Sequence, residues 1–418
     1  MDNSANSDYM HSLKSSKPKD SSHLANDSGD ETGRKNSTRL DKLVVIQSTP
    51  ICNMNCSYCY LDEGERRGKN NIAPPLINDE TLRNIYRVTL ASPTLKDGFR
   101  LLWHAGEPMV PGIMFYERAF SILNEMNVEH IPINQVFQTN GTLITQNWAD
   151  FIKKNDILIG VSIDGPEFIH NRNRVYGNSK GSFEHVMRGI RILQNNNIEF
   201  STISVLTEES LNYPDEIMRF FLKENIFRIA FNLEETEGVH ISKLNLQPEL
   251  IKKYRNFFSR VIEIAHEPNS QLNVREIEQM SLKLMYGSDK ISATLNVPLE
   301  AVSFDYAGNV STFSPELLTM RHPKYGPLIF GNAKSMKTIE DILKNKIFLN
   351  VNEEIQNGVE RCRLECNYFS VCGGGAPSNK LGENGSFDTT ETFKCRLEIK
   401  ENAELMLDRL ELLRKSKE

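Results

Sequence analysis

The chain has no apolar run long enough to cross a membrane and no excess of positive charge, and each absence excludes a class of protein. A membrane-spanning helix needs about 20 consecutive, mostly apolar residues, and no stretch of the 418 residues provides them. The formal net charge is −6, whereas a nucleic-acid-binding surface needs clustered basic residues. We therefore expect neither a membrane nor a nucleic acid as a partner.

The first 40 residues lack the apolar segment that a secretory signal peptide requires. They are rich in Ser, Asp, Asn and Lys, with only scattered apolar residues. Such a composition cannot bury enough apolar surface to fold. We predict that residues 1–40 are a disordered tail and that the protein is cytoplasmic.

Cysteine is present only seven times, and all seven residues fall into two groups. The early trio is Cys52, Cys56 and Cys59, and the late quartet is Cys362, Cys366, Cys372 and Cys395. An odd count without a secretion signal argues against a disulfide scaffold. Ordinary buried cysteines would scatter along the chain, so the grouping favours reduced thiols that hold metal.

The early trio has the spacing Cys52-Asn-Met-Asn-Cys56-Ser-Tyr-Cys59 and follows an apolar run. Iron–sulfur clusters are held by cysteine thiolates at short, fixed spacings. A four-iron cubane needs four anchors, and this loop offers three. The spacing therefore predicts a [4Fe–4S] cluster whose fourth iron is open to a ligand that is not protein.

Residues 41 to about 235 alternate apolar runs with amphipathic stretches. Six strands are predicted, at 42–48, 99–103, 134–138, 157–163, 199–206 and 227–233. Helices are predicted from a cap at Asn78 to residue 90 and at 114–126, 146–154, 182–195 and 215–224. Repeated strand–helix units indicate a parallel sheet covered by helices. Spacing alone allows a doubly wound sheet or a barrel, but polar motifs directly after the strands favour a barrel.

The second predicted strand ends in His104-Ala-Gly106-Glu107-Pro108. Together with the early trio, this sequence resembles the radical S-adenosylmethionine (SAM) enzymes, with Ala105 where that family usually has a first Gly. The resemblance implies an α/β fold with a partial (β/α)6 radical SAM barrel at 41–240. It also implies that SAM chelates the open iron of the [4Fe–4S] cluster. Helical periodicity predicts a connecting segment at 241–294. Residues 295–418 are predicted to form a C-terminal domain that holds the late quartet and ends in an amphipathic helix at 396–414.

The resemblance assigns SAM contacts to the ends of the first two strands. Gly106 would permit close backbone approach and Glu107 would accept a hydrogen bond from the SAM ammonium. Tyr58 would lie against the adenine, although a lone Tyr is more often a packing residue. A surface turn is the alternative for the Gly106–Glu107 pair.

Further contacts are implied at the later strand ends. Ser162 and Arg174 would bind the SAM carboxylate, with Arg172 as a rival for the arginine role. Gln138 would touch SAM or the substrate with equal chance. Val205 would form part of an apolar wall against the adenine, or it would simply pack in the core.

The late quartet suits either a closed cubane or tetrahedral zinc by its spacing alone. The region resembles the SPASM extension of peptide-modifying radical SAM enzymes, which has seven cysteines and two auxiliary clusters. Here Ala376 replaces one expected cysteine, and the Gly308-Asn309 turn has none beside it. The resemblance thus implies that residues 295–418 are a SPASM-like auxiliary-cluster domain with one auxiliary [4Fe–4S] cluster, the second one being lost.

Several stretches, such as Phe231-Asn-Leu-Glu-Glu-Thr-Glu-Gly238 and Cys372-Gly-Gly-Gly-Ala-Pro377, resemble cyclophane-forming maturases paired with glycine-rich-repeat precursor peptides. The resemblance covers roughly residues 41–410. It implies a ribosomally synthesised precursor peptide as partner and an external electron donor such as flavodoxin or ferredoxin. A 5′-deoxyadenosyl radical would take a hydrogen atom from the peptide, and the resulting carbon radical would add to an aromatic ring.

The ring must then lose an electron and a proton, so the predicted proton acceptors are Glu234 and Glu235, with Glu237 beside them. A helix cap or a solvated turn explains these residues equally well. Two other functions stay open: an anaerobic sulfatase-maturating type of enzyme that makes formylglycine, and a non-catalytic iron–sulfur or zinc scaffold.

Overall fold

The structure is a computed structural model that describes residues 40, 42–68, 75–244, 246–287 and 295–415. The predicted tail lies outside these residues, apart from Leu40. Within the described ranges, no helix is both long and apolar enough to cross a membrane.

Six parallel strands follow one another in chain order, as predicted. They are β1 Leu43–Ile46, β2 Phe99–Trp103, β3 Ile133–Thr139, β4 Leu158–Ser162, β5 Phe200–Leu206 and β6 Arg228–Leu233. Each strand carries fully buried apolar residues, which is why the predicted apolar runs coincide with them. The ends of the sheet are not paired with each other in the described residues, so the six strands form a partial barrel.

Six further strands have two to four residues each. They are β7 Asn273–Val274, β8 Ala301–Phe304, β9 Asn309–Thr312, β10 Arg321–His322, β11 Gly326–Pro327 and β12 Gly331–Asn332. Among the described residues, β8, β9, β12 and β7 extend the sheet to ten strands in the order β12-β9-β8-β1-β2-β3-β4-β5-β6-β7. β8 pairs in parallel with β1, with Val44 opposite Val302. The first strands after residue 295 therefore continue the sheet of the barrel instead of forming a sheet of their own.

The helices cover the sheet and the region after it. They are Glu63–Arg66, Asp79–Leu90, Ile113–Met126, Gln146–Lys154, Glu167–Asn173, Phe183–Asn195, Pro214–Lys223, Pro248–Ala265, Arg275–Tyr286, Lys346–Glu365, Phe369–Cys372, Pro377–Asn384 and Asn402–Lys415, with a π-helix at Cys395–Glu401. Caps explain several boundaries. The side chain of Asn78 accepts a hydrogen bond from Thr81 N, and that of Thr145 accepts one from Trp148 N.

The helix Lys346–Glu365 is absent from the sequence prediction, which expects short strands after residue 295. Its N-cap is Asn345, whose side chain accepts hydrogen bonds from Ile347 N and Phe348 N. Buried Phe348, Val351 and Ile355 follow at helical spacing. The Gly and Pro residues between positions 298 and 331 indicate turns and short strands, and this composition conceals the helical periodicity that begins after them.

An aromatic cluster fixes the loop after β2. The rings of Trp103 and Tyr116 meet edge to face with centroids 5.1 Å apart. The Tyr116 hydroxyl donates a hydrogen bond to the carbonyl of Pro108. Burial of these rings therefore holds the predicted cofactor-binding loop against the helix Ile113–Met126.

Candidate functional site

The loop after β2 passes so close to the loop after β1 that position 106 has no room for a side chain. Gly106 has a φ of +66°, and a Cβ there would lie 2.3 Å from the carbonyl oxygen of Thr49. The Glu107 amide donates to the Ile51 carbonyl over 2.9 Å. Because position 106 carries no side chain, the predicted cofactor-binding loop packs directly against the chain segment that leads into the early trio.

The carboxylate of Glu107 is 1% exposed and accepts three hydrogen bonds. The donors are the amide of Met109 at 2.9 Å, the hydroxyl of Thr139 at 2.7 Å and the amide of Asn140 at 2.8 Å. Burial raises the pKa of Glu107 to about 7, although these donors oppose the shift. Glu107 thus ties the ends of β2 and β3 together, in addition to its predicted contact with SAM.

The early trio lies on one loop after β1, and its thiols are free. The Cys59 amide donates to the Cys56 carbonyl, which closes a turn. Cys52 Sγ accepts hydrogen bonds from Met54 N at 3.4 Å and from Asn140 Nδ2 at 3.9 Å. Burial raises the pKa of Cys52 and raises that of Cys56 to about 11. Burial thus disfavours the free thiolate at both positions.

The donor set of the early trio matches an iron–sulfur cluster. No group of three or more His, Cys, Asp or Glu side chains in the described ranges converges on one metal position. A cubane does not require such convergence, because each thiolate binds a different iron. Three sulfur ligands on one loop, with N–H donors directed at Cys52 Sγ, fit a [4Fe–4S] cluster.

Asp164, two residues after the end of β4, forms hydrogen bonds with three of the residues predicted to contact SAM. Its carboxylate accepts hydrogen bonds from Arg174 Nε at 3.0 Å, Val205 N at 2.9 Å and the hydroxyl of Tyr58. The Arg174 guanidinium also lies over the Tyr58 ring, 5.4 Å from its centroid. Asp164 itself is 1% exposed. The sequence prediction assigns Asp164 no role, and the signal for it in the sequence is its place just after a predicted strand.

Gln138 and Ser162 form a second pair at the same edge of the sheet. Gln138 Nε2 lies 3.2 Å from Ser162 Oγ, between β3 and β4. Gly160 makes room for this contact, because a Cβ there would be 2.1 Å from Gln138 Oε1. The structure therefore places both residues at the carboxyl ends of neighbouring strands, where barrel sites are built.

Three glutamates follow β6, and they differ in environment. Glu234 lies 2.8 Å from His240 Nε2, while Glu235 pairs with Lys394 and accepts a hydrogen bond from Asn379. Burial alone would raise the pKa of Glu235, but Lys394 outweighs it and holds this pKa below its ordinary value.

Glu237 has the opposite behaviour. Burial, followed by the nearby carboxylates of Glu316 and Glu235, holds its pKa well above the ordinary range. Val239 N donates to the carbonyl of Tyr60 over 3.1 Å, and Tyr60 directly follows the early trio. Glu237 also interacts electrostatically with Tyr60, which places this glutamate near the chain segment that follows the early trio. Glu316 is a member of this group that the sequence prediction does not assign.

The cysteines of the late quartet lie at or beside the ends of three helices. Cys362 lies near the end of the helix Lys346–Glu365, and Cys366 directly follows that helix. Cys372 ends the helix Phe369–Cys372, and Cys395 begins the π-helix. Gly374 N donates to Cys372 Sγ at 3.4 Å, and all four thiols are free. Burial raises the pKa of Cys395 to about 12 and also raises that of Cys362. The thiols of Cys362 and Cys395 both interact electrostatically with Cys366 and Cys372, and four cysteine sulfurs are the ligand set of a closed iron–sulfur cluster.

Comparison with protein families and curated proteins gives one family and two informative relatives. Residues 46–221 match the model of the Radical SAM superfamily. An uncharacterized protein of Synechocystis sp. is 42% identical over 375 residues, which cover 88% of this chain and 92% of that protein. A cysteine-type anaerobic sulfatase-maturating enzyme of Clostridium novyi is 25% identical over 85% of this chain and 94% of its own length.

Solved structures share the fold. The structure of anSMEcpe with bound AdoMet and the Cp18Cys peptide has a TM-score of 0.72 and 21% identity, over 90% of this chain and 99% of that one. SuiB of Streptococcus suis bound to the precursor peptide SuiA has a TM-score of 0.57 and 14% identity, over 86% of this chain and 76% of that one. The partial barrel with a C-terminal auxiliary region is therefore the fold of this chain.

Proposed function

We propose that this chain, which belongs to the radical SAM superfamily, is a peptide maturase that closes a cyclophane in a ribosomally synthesised precursor peptide. The product would carry a C–C bond between an aromatic ring and a side-chain carbon of the same peptide. One observation carries the proposal: Glu237, a carboxyl whose pKa is raised by burial and by nearby carboxylates, interacts with Tyr60, the residue that directly follows the early trio.

The chain's own residues would hold and orient the cofactor. Cys52, Cys56 and Cys59 would bind the [4Fe–4S] cluster, and Gly106, Glu107, Gln138, Ser162, Arg174, Tyr58 and Val205 are the proposed SAM contacts. With SAM bound, this cluster supplies hydrogen-atom abstraction from an unactivated carbon. Asp164 fixes Arg174 through a buried ion pair, so the guanidinium meets the ligand in a set orientation.

Closing the ring removes two hydrogens from the peptide. One leaves as a hydrogen atom in the abstraction step. The other leaves the aromatic ring as a proton and an electron after the C–C bond forms. A carboxylate whose pKa is raised accepts a proton readily near neutral pH, and Glu237 meets that requirement better than Glu235, which is paired with Lys394. We therefore assign proton transfer to Glu237 in its deprotonated form, with Glu234 and Glu235 around it.

The electron that leaves the aromatic ring needs a one-electron acceptor. Cys362, Cys366, Cys372 and Cys395 would hold an auxiliary [4Fe–4S] cluster, which supplies a one-electron sink. An external donor such as flavodoxin or ferredoxin would deliver the electron that starts each turnover.

A second candidate is a sulfatase-maturating activity that oxidises Cys or Ser to formylglycine. The likeness to the Clostridium novyi enzyme along most of both chains favours it. The single late quartet, with Ala376 at an expected cysteine position, favours cyclophane formation.

Mass spectrometry of a precursor peptide encoded beside this chain separates the two functions after co-expression. Cyclophane formation lowers the mass by two hydrogens per crosslink and blocks fragmentation inside the ring. An aldehyde product would instead establish the formylglycine activity. The Cys56→Ala variant should give unmodified peptide in either case.

The role of Glu237 is tested by Glu237→Gln. We expect at least a tenfold loss of crosslinked product, since general acid–base groups contribute about 10²–10⁴-fold, while SAM binding stays unchanged. Glu234→Gln is the matched control, because Glu234 is partnered by His240. Equal losses in both variants would remove Glu237 from this role.

A further inference from the structure

Lys380 is a buried lysine whose ammonium contacts a member of the late quartet. The side chain is 3% exposed, and Nζ lies 3.6 Å from Cys362 Sγ. Among the described residues, Cys362 Sγ is the hydrogen-bond partner of the Lys380 ammonium. Lysine is almost never fully buried unless its charge is paired, so the sulfur takes the place that a carboxylate usually fills.

The surrounding chain leaves space for this ammonium. Gly358 lies one helical turn before Cys362 on the helix Lys346–Glu365, and a Cβ at that position would lie 3.1 Å from Lys380 Nζ and 2.2 Å from the Phe387 carbonyl oxygen. A side chain at position 358 would therefore clash with the Phe387 carbonyl and crowd the Lys380 ammonium. The helix Pro377–Asn384 carries Lys380 from the other side. Two separate helices therefore cooperate to bring one positive charge to one sulfur.

Other lysines lie around the late quartet, but carboxylates share their charge. Lys400 pairs with Glu391 and interacts with Cys366 and Cys395. Lys283 interacts with Cys372 and also with Glu398. Lys380 differs from both because its hydrogen-bond partner is a cluster ligand.

We propose that the charge of Lys380 raises the reduction potential of the cluster held by the late quartet, which makes that cluster an electron acceptor. A cluster gains negative charge on reduction, so a nearby cation in a low-dielectric interior stabilises the reduced form more than the oxidised form. Hydrogen bonds to the sulfurs act in the same direction. The electron in question is the one that leaves the aromatic ring with the proton after C–C bond formation. This inference rests on the proposed function.

The test measures the potential of this cluster alone. The full-length chain with Cys52→Ala, Cys56→Ala and Cys59→Ala is reconstituted anaerobically with iron and sulfide, and its reduction is followed by electron paramagnetic resonance in a redox titration. Adding Lys380→Met should lower the ratio of reduced to oxidised cluster at least tenfold at a fixed potential, which is about 59 mV for one electron. Lys380→Arg should keep most of the original potential, because it keeps the charge.

Lys400→Met is the matched control, and its shift should be smaller because Glu391 already neutralises that lysine. An unchanged potential in Lys380→Met, with full iron content, overturns the proposal while the maturase function stands. Lys380→Gln, which keeps a donor without the charge, covers the case in which the Met variant fails to load iron. Loss of iron in both variants would make Lys380 an assembly residue and overturn the proposal.

Two further outcomes separate this inference from the proposed function. Zinc in place of iron at the late quartet would overturn both. A shifted potential in Lys380→Met, together with a peptide that is never crosslinked by the unmodified enzyme, would support the tuning role and reject the cyclophane activity.

Discussion

Asp164 and Arg174 form a buried ion pair beneath the predicted SAM site. Their side chains are 1% and 8% exposed, and the same carboxylate also accepts from Val205 N and from Tyr58. Removing one member of such a pair leaves the other charge buried without compensation. The residue that anchors the site is thus as important as the residues that are expected to touch the ligand.

Asp164→Asn should lower the free energy of unfolding by about 3–5 kcal/mol, measured by urea denaturation under anaerobic conditions. The matched control is Asp215→Asn, which breaks an exposed pair with Arg260 and should cost less than about 1 kcal/mol. Similar losses in the two variants would contradict the importance of the buried pair. Calorimetry should also show weaker SAM binding in Asp164→Asn alone.

Glu107 gives the stability of the protein a pH dependence. Burial raises its folded-state pKa from 4.5 to about 7, so between these values the folded chain binds more protons than the unfolded chain. The free energy of unfolding therefore falls as pH rises through this window, by up to about 3 kcal/mol. Glu107→Gln should lack this contribution, and urea midpoints measured from pH 5 to 8 should fall less steeply than in the parent.

Glu125→Gln provides the comparison. Glu125 is an exposed partner of Arg83, and that contact lowers its pKa, which places its titration below the same window. Its pH profile should follow that of the parent. A Glu107→Gln profile parallel to the parent would show that the carboxylate does not titrate there.

At the scale of an element, the loop after β2 shows how backbone conformation carries the sequence motif. Ala105 has a φ of +68° and Gly106 one of +66°. Ala105 therefore holds the left-handed conformation that a Gly adopts without strain, at a cost of roughly 1–2 kcal/mol.

Gly106→Ala should destabilise the protein more than Gly112→Ala. Both glycines have positive φ, +66° and +81°, but a Cβ at 112 meets nothing within 4 Å, whereas one at 106 overlaps Thr49 O. We expect about 1–2 kcal/mol for Gly112→Ala from backbone strain and a larger loss for Gly106→Ala. Thermal or urea unfolding compares them directly, and equal losses would show that the loop moves to accept a methyl group.

At the scale of the whole molecule, the two cysteine groups predict the metal content. The anaerobically reconstituted protein should hold about eight irons, four in each cluster. Alanine at all three positions of the early trio should leave about four, and alanine at all four positions of the late quartet should also leave about four. Iron and sulfide analysis checks this. About twelve irons would contradict the single auxiliary cluster, and zinc would contradict the cluster at the late quartet.

The early trio, the six parallel strands and the polar strand ends could be predicted from the sequence, because each has a local pattern. β2 and the helix Gln146–Lys154 agree with their predicted bounds. The role of Asp164 and the contact between Lys380 and Cys362 could not, because each depends on chain segments that meet only in the folded protein. The helix Lys346–Glu365 is missed for a local reason, since the Gly and Pro residues between 298 and 331 favour short strands and turns for this region.

The same limit applies to the glutamates after β6. Their sequence indicates a carboxylate group, but the approach of Lys394 and Glu316 decides which member is charged. Both partners come from far along the chain. Assignment of the proton acceptor therefore needs the folded structure, even though the candidate segment was visible in the sequence.

The position of β1 between β2 and β8 has a practical consequence. A chain cut after residue 294 would lose β8 and expose a row of unpaired N–H and C=O groups along β1, which invites self-association. A shortened enzyme that ends at residue 294 should therefore precipitate. A minimal catalyst cannot be obtained by removing the C-terminal third of the chain.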